Sequence, residues 1–266
     1  MEPKKTFYYS DELSDDFAPT NGKISTKKLP DDYRYIHKDP VWQIIAAFLY
    51  RLLATPIVFI FMKLAFSLKI KNKRALKKIK GGYFLYGNHT QSAADAFIPT
   101  LISFPKKANI ITSPDAVSIP VCNVVVPMFG GMPLHQTIRG KVKMLNAMRY
   151  KIGKKQTVTI YPEAHIWPYY NKIRPFSAES FAYPYRMNVP AVGFTVTYRP
   201  RKVFEKLYPC ITVTISDPVY PSECKDFSDM RDKIYNFMVE TVEKENSCEY
   251  IKYIKRNDEN ESNDSM

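Results

Sequence analysis

The chain has 266 residues, of which 45% are hydrophobic, so it is long and apolar enough for one α/β domain with a substantial core. Its 39 Lys and Arg against 26 Asp and Glu give a net charge of +13, which favours nucleic acid, anionic lipid or a phosphorylated substrate as partner. None of the four cysteines forms a C-x-x-C pair, which argues against a zinc or other metal site and predicts free thiols in a reducing cytoplasm.

Residues 1–40 are polar and predict an irregular N-terminal arm. The segment contains no apolar stretch of the kind that forms the core of a cleavable signal peptide.

Residues 41–68 are the most apolar part of the chain and exceed the roughly 20 residues that a bilayer span needs. Arg51 lies near the middle, where a charge costs about 2.5–3.5 kcal/mol to insert, and Pro56 disfavours a continuous helix. We therefore expect two short helices lying in one leaflet, with the Arg51 side chain extending to the headgroups. A single transmembrane span and a buried pair of core helices are the alternatives.

A basic run follows this apolar segment and indicates contact with membrane lipids at an anionic bilayer surface. Each such charge contributes about 1 kcal/mol of binding free energy near an anionic surface. Because the cytoplasmic leaflet carries the anionic lipids, we expect the chain to lie on the cytoplasmic face of the cell membrane, as a monotopic or single-span protein. No nucleic-acid-binding motif accompanies the charge, so nucleic acid is not an expected partner. A solvated helix face is the alternative reading of this run: Lys69, Lys71, Lys73, Arg74, Lys77, Lys78 and Lys80.

Residues 69–250 alternate short apolar runs with longer helical patterns and predict the main domain. The fold class expected is α/β, with a mixed, mostly parallel sheet flanked by helices and preceded by the N-terminal membrane-associated helical segment. The polar end of the chain, 251–266, predicts a disordered tail. The predicted strands are 83–86, 109–112, 124–128, 157–161, 191–198 and 211–216, and the predicted helices are 92–103, 136–152, 177–187 and 228–246.

His89 and Asp95 form the first candidate for chemistry. His89 follows the strand predicted at 83–86, Ser92 can cap the next helix, and Asp95 falls in that helix's first turn. The Asp95 carboxylate can then accept the imidazole Nδ1–H and leave Nε2 free to take a proton from an alcohol. Carboxyl ends of strands are where open α/β sheets place their ligands.

Three further motifs follow in order, and with the first they resemble the four blocks of the glycerolipid acyltransferase family, best known for 1-acyl-glycerol-3-phosphate acyltransferases. The family's N-H-x4-D block corresponds to Asn88-His89 and Asp95, although five residues rather than four separate His89 from Asp95. An extra residue in the Thr90–Gln91 loop leaves the carboxylate in place, whereas one in the helix rotates it by roughly 100°. The later blocks correspond to Phe129-Gly130-Gly131-Met132-Pro133-Leu134, Tyr161-Pro162-Glu163-Ala164-His165 and Val189-Pro190-Ala191-Val192.

The resemblance implies an O-acyltransferase that moves a fatty acyl group from acyl-CoA or acyl carrier protein to the hydroxyl of a lysophospholipid. In that reading His89 is the general base and Asp95 orients it, while no bound cofactor is required. Glu163 would position the acceptor, Gly131 belongs to the second block, and His165 lies beside the acceptor site. The candidates for binding a substrate phosphate are Arg139, Lys141 and Arg174.

The competing hypothesis is a non-catalytic peripheral membrane protein that keeps the fold and binds lipid or a partner without turnover. Its motivation is the longer His89–Asp95 spacing and the altered third block, in which Ala164-His165 replaces Gly-Thr.

Overall fold

The computed structural model describes residues 3–18, 27–91, 94–202 and 208–256. Its strands are β1 (Lys5–Tyr9), β2 (Lys69–Lys71), β3 (Tyr83–Gly87), β4 (Ala108–Thr112), β5 (Gly131–Pro133), β6 (Thr157–Ile160), β7 (Ala191–Arg199), β8 (Cys210–Ile215) and β9 (Ile251–Lys255). Its α-helices are α1 (Pro40–Phe48), α2 (Thr55–Phe66), α3 (Ile98–Ser103), α4 (Cys122–Met128), α5 (Ile138–Gly153), α6 (Ala182–Met187) and α7 (Phe227–Glu245).

The central sheet has seven strands in the order β2-β8-β7-β3-β6-β4-β5. Every neighbouring pair is parallel except β7 and β8. The predicted fold class, a mixed and mostly parallel sheet flanked by helices, is therefore confirmed. β3 lies between β6 and β7 and is buried along its whole length, as its uninterrupted apolar sequence predicts.

Helices cover both faces of the sheet. On one face Leu85 packs in the cluster that contains Ile98 and Leu101 of α3. On the other, Phe84 packs in the cluster that contains Met148 of α5 and Ile234 of α7. This two-sided burial fixes β3, so the residues that follow it leave a rigid strand at the carboxyl edge of the sheet.

The strand predicted at 124–128 is wrong, because these residues belong to helix α4. A short apolar run does not distinguish a strand from a helix by periodicity alone. No residue of α4 is buried, so the run is not a central strand but a helix beside the edge strand β5. Helix α3 also begins at Ile98 rather than 92, and Ser92, the predicted cap, lies outside the described residues.

The apolar segment forms one continuous helical stretch, Pro40–Phe66, of 27 residues, which is long and apolar enough to cross a membrane. We call it the apolar helix. The two separate short helices that we expected are therefore one continuous helical stretch. Only 17% of its most apolar window is buried, which argues against the alternative of buried core helices. No break occurs at Pro56, because that residue occupies the first turn of α2, where a missing N–H is tolerated, after a π-helical segment over Leu49–Ala54.

The two ends of the chain pair with each other, which the sequence does not predict. β1 and β9 form a parallel two-stranded sheet, with Phe7 opposite Tyr253. Residues 251–255 are thus ordered rather than part of a disordered tail, and 257–266 lie outside the described residues. The physical reason is aromatic packing, since Tyr253 stacks on Trp167 with ring centroids 5.0 Å apart and Phe17 meets the same indole at 5.2 Å.

Candidate active site

The segment after β3 is clamped to its neighbour β7. The Asn88 amide donates to Val196 O at 3.0 Å, and its oxygen accepts from Val196 N at 2.8 Å. Two residues further along each strand, Tyr198 donates its hydroxyl to Thr90 O at 3.0 Å. Asn88 and Thr90 are both buried, so the backbone on either side of His89 is held against the sheet.

His89 and Asp95 meet directly: His89 Nδ1 lies 2.7 Å from Asp95 Oδ2. The same carboxylate oxygen accepts from the backbone N–H of Gln91 at 2.9 Å. Asp95 lies in a turn over 94–97 that precedes α3, and not in the helix as predicted. The additional residue of the spacing therefore falls outside the helix, which is the arrangement that keeps the carboxylate in place.

The surroundings of the two groups differ. The His89 side chain is 24% exposed, whereas the Asp95 side chain is 4% exposed. Burial raises the pKa of Asp95 above its ordinary value, and the hydrogen bond from His89 acts in the opposite direction. A carboxylate bonded to Nδ1 selects the tautomer whose Nε2 is unprotonated, so the histidine can accept a proton from a hydroxyl there.

Tyr161 supports this pair from the end of β6. Its ring stacks on the His89 imidazole with 4.7 Å between centroids and 21° between planes. Its hydroxyl donates to Asp95 O at 2.6 Å, and burial raises the pKa of Tyr161 well above its ordinary value, so the donor proton is retained. Behind it, Phe194 packs edge-on against Tyr161 at 5.9 Å.

Glu163 and Arg174 form a buried ion pair beside His89. Arg174 Nη2 lies 3.3 Å from Glu163 Oε2, and their side chains are 1% and 0% exposed. Glu163 Oε2 also accepts from the backbone N–H of His89 at 3.2 Å. Burial raises the pKa of Glu163 and the Arg174 charge lowers it. Glu163 is thus a support for the His89 backbone, enclosed by protein.

Arg174 does not lie where a phosphate could reach it. Its guanidinium donates to His165 O and, at 3.1 Å, to Glu12 O, and it lies 5.0 Å from the centre of the Trp167 ring. This position does not support the predicted role of Arg174 as a phosphate ligand. A lone Arg beyond the third block carries no sequence signal of the partner that buries it.

His165 lies at the more exposed edge of the cluster that contains Glu163 and Arg174. Its Nδ1 is 3.7 Å from Asp16 Oδ2, and its side chain is 39% exposed. The N-terminal arm therefore contacts the third block, and Trp167 Nε1 strengthens the contact by donating to Asp15 O at 2.7 Å.

Gly131, Arg139 and Lys141 lie on the far side of the sheet from His89, in or after the edge strand β5. Gly131 begins β5, which is separated from β3 by β6 and β4, or about 14 Å at the usual strand spacing. Arg139 and Lys141 are exposed in the first turns of α5. Arg139 and Lys141 follow β5 and lie towards the carboxyl edge, some distance from His89. Gly131, in contrast, lies at the level of Leu85 in the middle of β3.

All four cysteines are free thiols. Within the described ranges, no three His, Cys, Asp or Glu side chains cluster as metal ligands. The residues that sequence reasoning missed are Asn88, Tyr161, Phe194, Trp167 and the arm residues Glu12 to Asp16. Asn88 and Tyr161 stand inside the first and third blocks, so adjacency to His89 and Glu163 was the available signal.

No family model matches the chain, and no curated protein matches its sequence. Among solved structures, the chain is similar to the crystal structure of the 1-acyl-sn-glycerophosphate (LPA) acyltransferase PlsC from Thermotoga maritima, with a TM-score of 0.56 and 18% sequence identity. The match covers 76% of this chain and 86% of that chain. The likeness shows that this chain has the fold of that acyltransferase structure.

Proposed function

We propose that this protein is a membrane-associated acyltransferase that moves a fatty acyl group from a thioester to the hydroxyl of a lysophospholipid such as 1-acyl-glycerol-3-phosphate. The observation that carries the proposal is the 2.7 Å contact between His89 Nδ1 and Asp95 Oδ2 at the carboxyl end of β3. The fold of an LPA acyltransferase structure supports the same reaction class.

In the proposed reaction His89 Nε2 removes the proton of the acceptor hydroxyl as the oxygen attacks the thioester carbonyl carbon. Asp95 holds the imidazolium that forms. The tetrahedral intermediate then collapses, the carbon–sulfur bond breaks, and the thiolate takes the proton back from Nε2. The products are an ester and a free thiol, and no covalent enzyme intermediate is needed. Acyl-CoA and acyl carrier protein are the two donors proposed.

The substrate roles proposed here follow the positions of the side chains. Arg139 and Lys141, exposed towards the carboxyl edge, are proposed to bind the acceptor phosphate. Gly131, at the start of β5, is proposed to support that end of the substrate site. Glu163 acts on the acceptor indirectly, through the backbone of His89. His165 is proposed to form part of the rim of the acceptor site.

The apolar helix provides the proposed membrane attachment, on the cytoplasmic face, where a lysophospholipid can reach the site without leaving the bilayer. Its outward side chains include Ile44, Leu52 and Leu64, which are 69%, 65% and 74% exposed. Exposed apolar area of this extent is favourable in lipid and costly in water.

The test is thioester consumption by the full chain in mixed micelles, with a panel of lysophospholipids that differ in headgroup. We expect turnover with at least one phosphate-bearing acceptor, and loss of turnover in His89→Ala at unchanged unfolding temperature. Activity that survives His89→Ala would remove the assigned general base. Absence of turnover with every acceptor, together with binding to anionic vesicles, would establish the non-catalytic lipid-binding alternative instead.

A further inference from the structure

A polar cavity of about 300 Å³ lies at the opposite edge of the sheet from His89. Lys107 on its wall immediately precedes β4, and Lys151 and Lys154 lie at the end of α5, just before β6. Because β4 and β6 run parallel to β3, residues that precede them lie at the amino edge, about 17 Å from the carboxyl edge for a strand of this length. The cavity is therefore separate from the proposed acyl-transfer site.

The cavity is strongly cationic. Arg51, Lys107, Lys151 and Lys154 all line it, and no carboxylate is among its lining residues. None of these four side chains takes part in an ion pair within the described residues. Four like charges around one cavity repel one another, and an anion placed between them would relieve that repulsion.

Two of the lysines are partly withdrawn from solvent. Burial lowers the pKa of Lys107 to about 8, and repulsion from Arg51 adds to the effect. Burial likewise lowers the pKa of Lys151 to about 8, with Lys107 as the neighbouring charge. Lys107 is held in place by its bond to Met128 O at 2.9 Å, so its ammonium cannot simply swing away.

His37 also lines the cavity. Among the residues that the structure describes, its Nε2 atom is buried and has no hydrogen-bond partner. The imidazole is held by stacking on Trp42, with 4.0 Å between ring centroids and 11° between planes. The stacked ring thus forms a fixed part of the cavity wall.

Much of the remaining wall is the first half of the apolar helix. Trp42, Ala46 and Tyr50 recur every four residues and face the cavity. The opposite side of the same turns is apolar and outward, with Val41 64%, Ile44 69% and Phe48 52% exposed. A molecule with a charged head and long hydrocarbon chains could therefore place its head in the cavity while its chains follow the helix surface.

We propose that this cavity binds the phosphate of an anionic membrane phospholipid, whose acyl chains lie against the exposed apolar side of Pro40–Phe66. Phosphate fits the site because its oxygens accept hydrogen bonds from guanidinium and ammonium groups at once. The lipid is a structural ligand that fixes the depth and orientation of the domain on the bilayer. This role goes beyond acyl transfer and does not depend on it.

The test uses the full chain in neutral detergent and follows its unfolding temperature during titration with short-chain phosphatidylglycerol, short-chain phosphatidylcholine or inorganic phosphate. We expect phosphatidylglycerol to raise the unfolding temperature at concentrations where the other two do not. Lys107→Gln/Lys151→Gln removes two charges worth about 1 kcal/mol each, so its apparent affinity should fall about thirty-fold. An equal shift with inorganic phosphate, or with phosphatidylcholine, would overturn the anionic-lipid assignment.

Three variants serve as controls. Lys225→Gln/Lys244→Gln loses the same charge at exposed positions away from the cavity and should keep the wild-type response. Lys107→Arg/Lys151→Arg keeps the charge and should retain most of the affinity, which separates lost binding from misfolding. Arg139→Gln/Lys141→Gln should also keep the response. If Arg139→Gln/Lys141→Gln loses the response to phosphatidylglycerol and Lys107→Gln/Lys151→Gln keeps it, the lipid binds at the carboxyl edge and the proposal is wrong.

Discussion

The imidazole of His89 lies face to face with the phenol ring of Tyr161, whose hydroxyl donates at 2.6 Å to the backbone oxygen of Asp95. A single side chain, on the residue directly after β6, thus contacts both members of the pair that follows β3. Tyr161 orients the histidine by contact and the aspartate segment by a hydrogen bond, which makes it a positioning residue.

Replacing Tyr161 should therefore have a graded effect. Tyr161→Phe keeps the stacked ring and loses one hydrogen bond worth about 1 kcal/mol, so we expect kcat to fall about five-fold. Tyr161→Leu loses both contacts, so its kcat should fall further. We expect the KM for the acceptor to change little in either variant. Steady-state kinetics with a saturating thioester measure this. Equal losses in the two variants would show that the ring stacking contributes nothing.

Asp95→Asn tests the orientation of His89. The amide cannot stabilise an imidazolium and favours the wrong tautomer, so we expect kcat to fall on the order of 10³–10⁴-fold. Asp232→Asn is the matched control, because Asp232 lies on the surface of α7 with 54% of its side chain exposed. The single-turnover rates of the two variants test this role of Asp95. If Asp95→Asn is about as fast as Asp232→Asn, Asp95 only supports the fold.

The pH dependence of kcat/KM should report proton uptake by the His89–Asp95 pair. The active form needs an ionised Asp95 and an unprotonated His89 Nε2, so activity is lost as the pH falls, and burial raises the pKa of Asp95 above its ordinary value. We expect the acid limb at a higher pH than an ordinary aspartate gives, near 4. Its apparent pKa belongs to the His89–Asp95 pair together. A profile flat down to about pH 4 would contradict the proposed dyad.

Arg174→Ala should unfold the site rather than weaken phosphate binding. It leaves Glu163 buried without its partner, which costs about 3–5 kcal/mol and should lower the unfolding temperature by on the order of 10 °C. Lys233→Ala breaks the exposed pair with Asp229 and should lower it far less. Glu163→Leu/Arg174→Met should recover part of the loss. Unchanged stability with a higher KM for the acceptor would restore Arg174 as a substrate ligand.

Gly87→Ala should disturb the end of β3. A Cβ atom there would lie 2.2 Å from Cζ of Phe194, a fully buried ring that also supports Tyr161. Overpacking of this kind costs about 1–3 kcal/mol, and we expect lower stability together with lower kcat. Gly87→Ala/Phe194→Leu frees the space and should restore stability. Thermal unfolding of the two variants side by side makes the comparison, and a neutral Gly87→Ala would show that Phe194 moves freely.

The amino-acid sequence by itself determined the features that depend on neighbours along the chain. The apolar run at 83–86 followed by Gly87-Asn88-His89 predicted a buried strand with a histidine at its carboxyl end, and the structure confirms that strand. The alternation of strand and helix patterns predicted the mixed parallel sheet. These signals are local because burial of both faces of a strand, or of one face of a helix, produces a characteristic short-range pattern of apolar residues in the sequence.

Only the tertiary structure decided how distant segments share space. It placed the additional residue before α3, so that Asp95 reaches His89. It buried Arg174 against Glu163 and the N-terminal arm, and it made 122–128 a helix outside the core. The physical reason is that ion pairing, ring packing and burial depend on three-dimensional neighbours, and a single Arg or a five-residue apolar run has the same sequence whichever neighbours it meets.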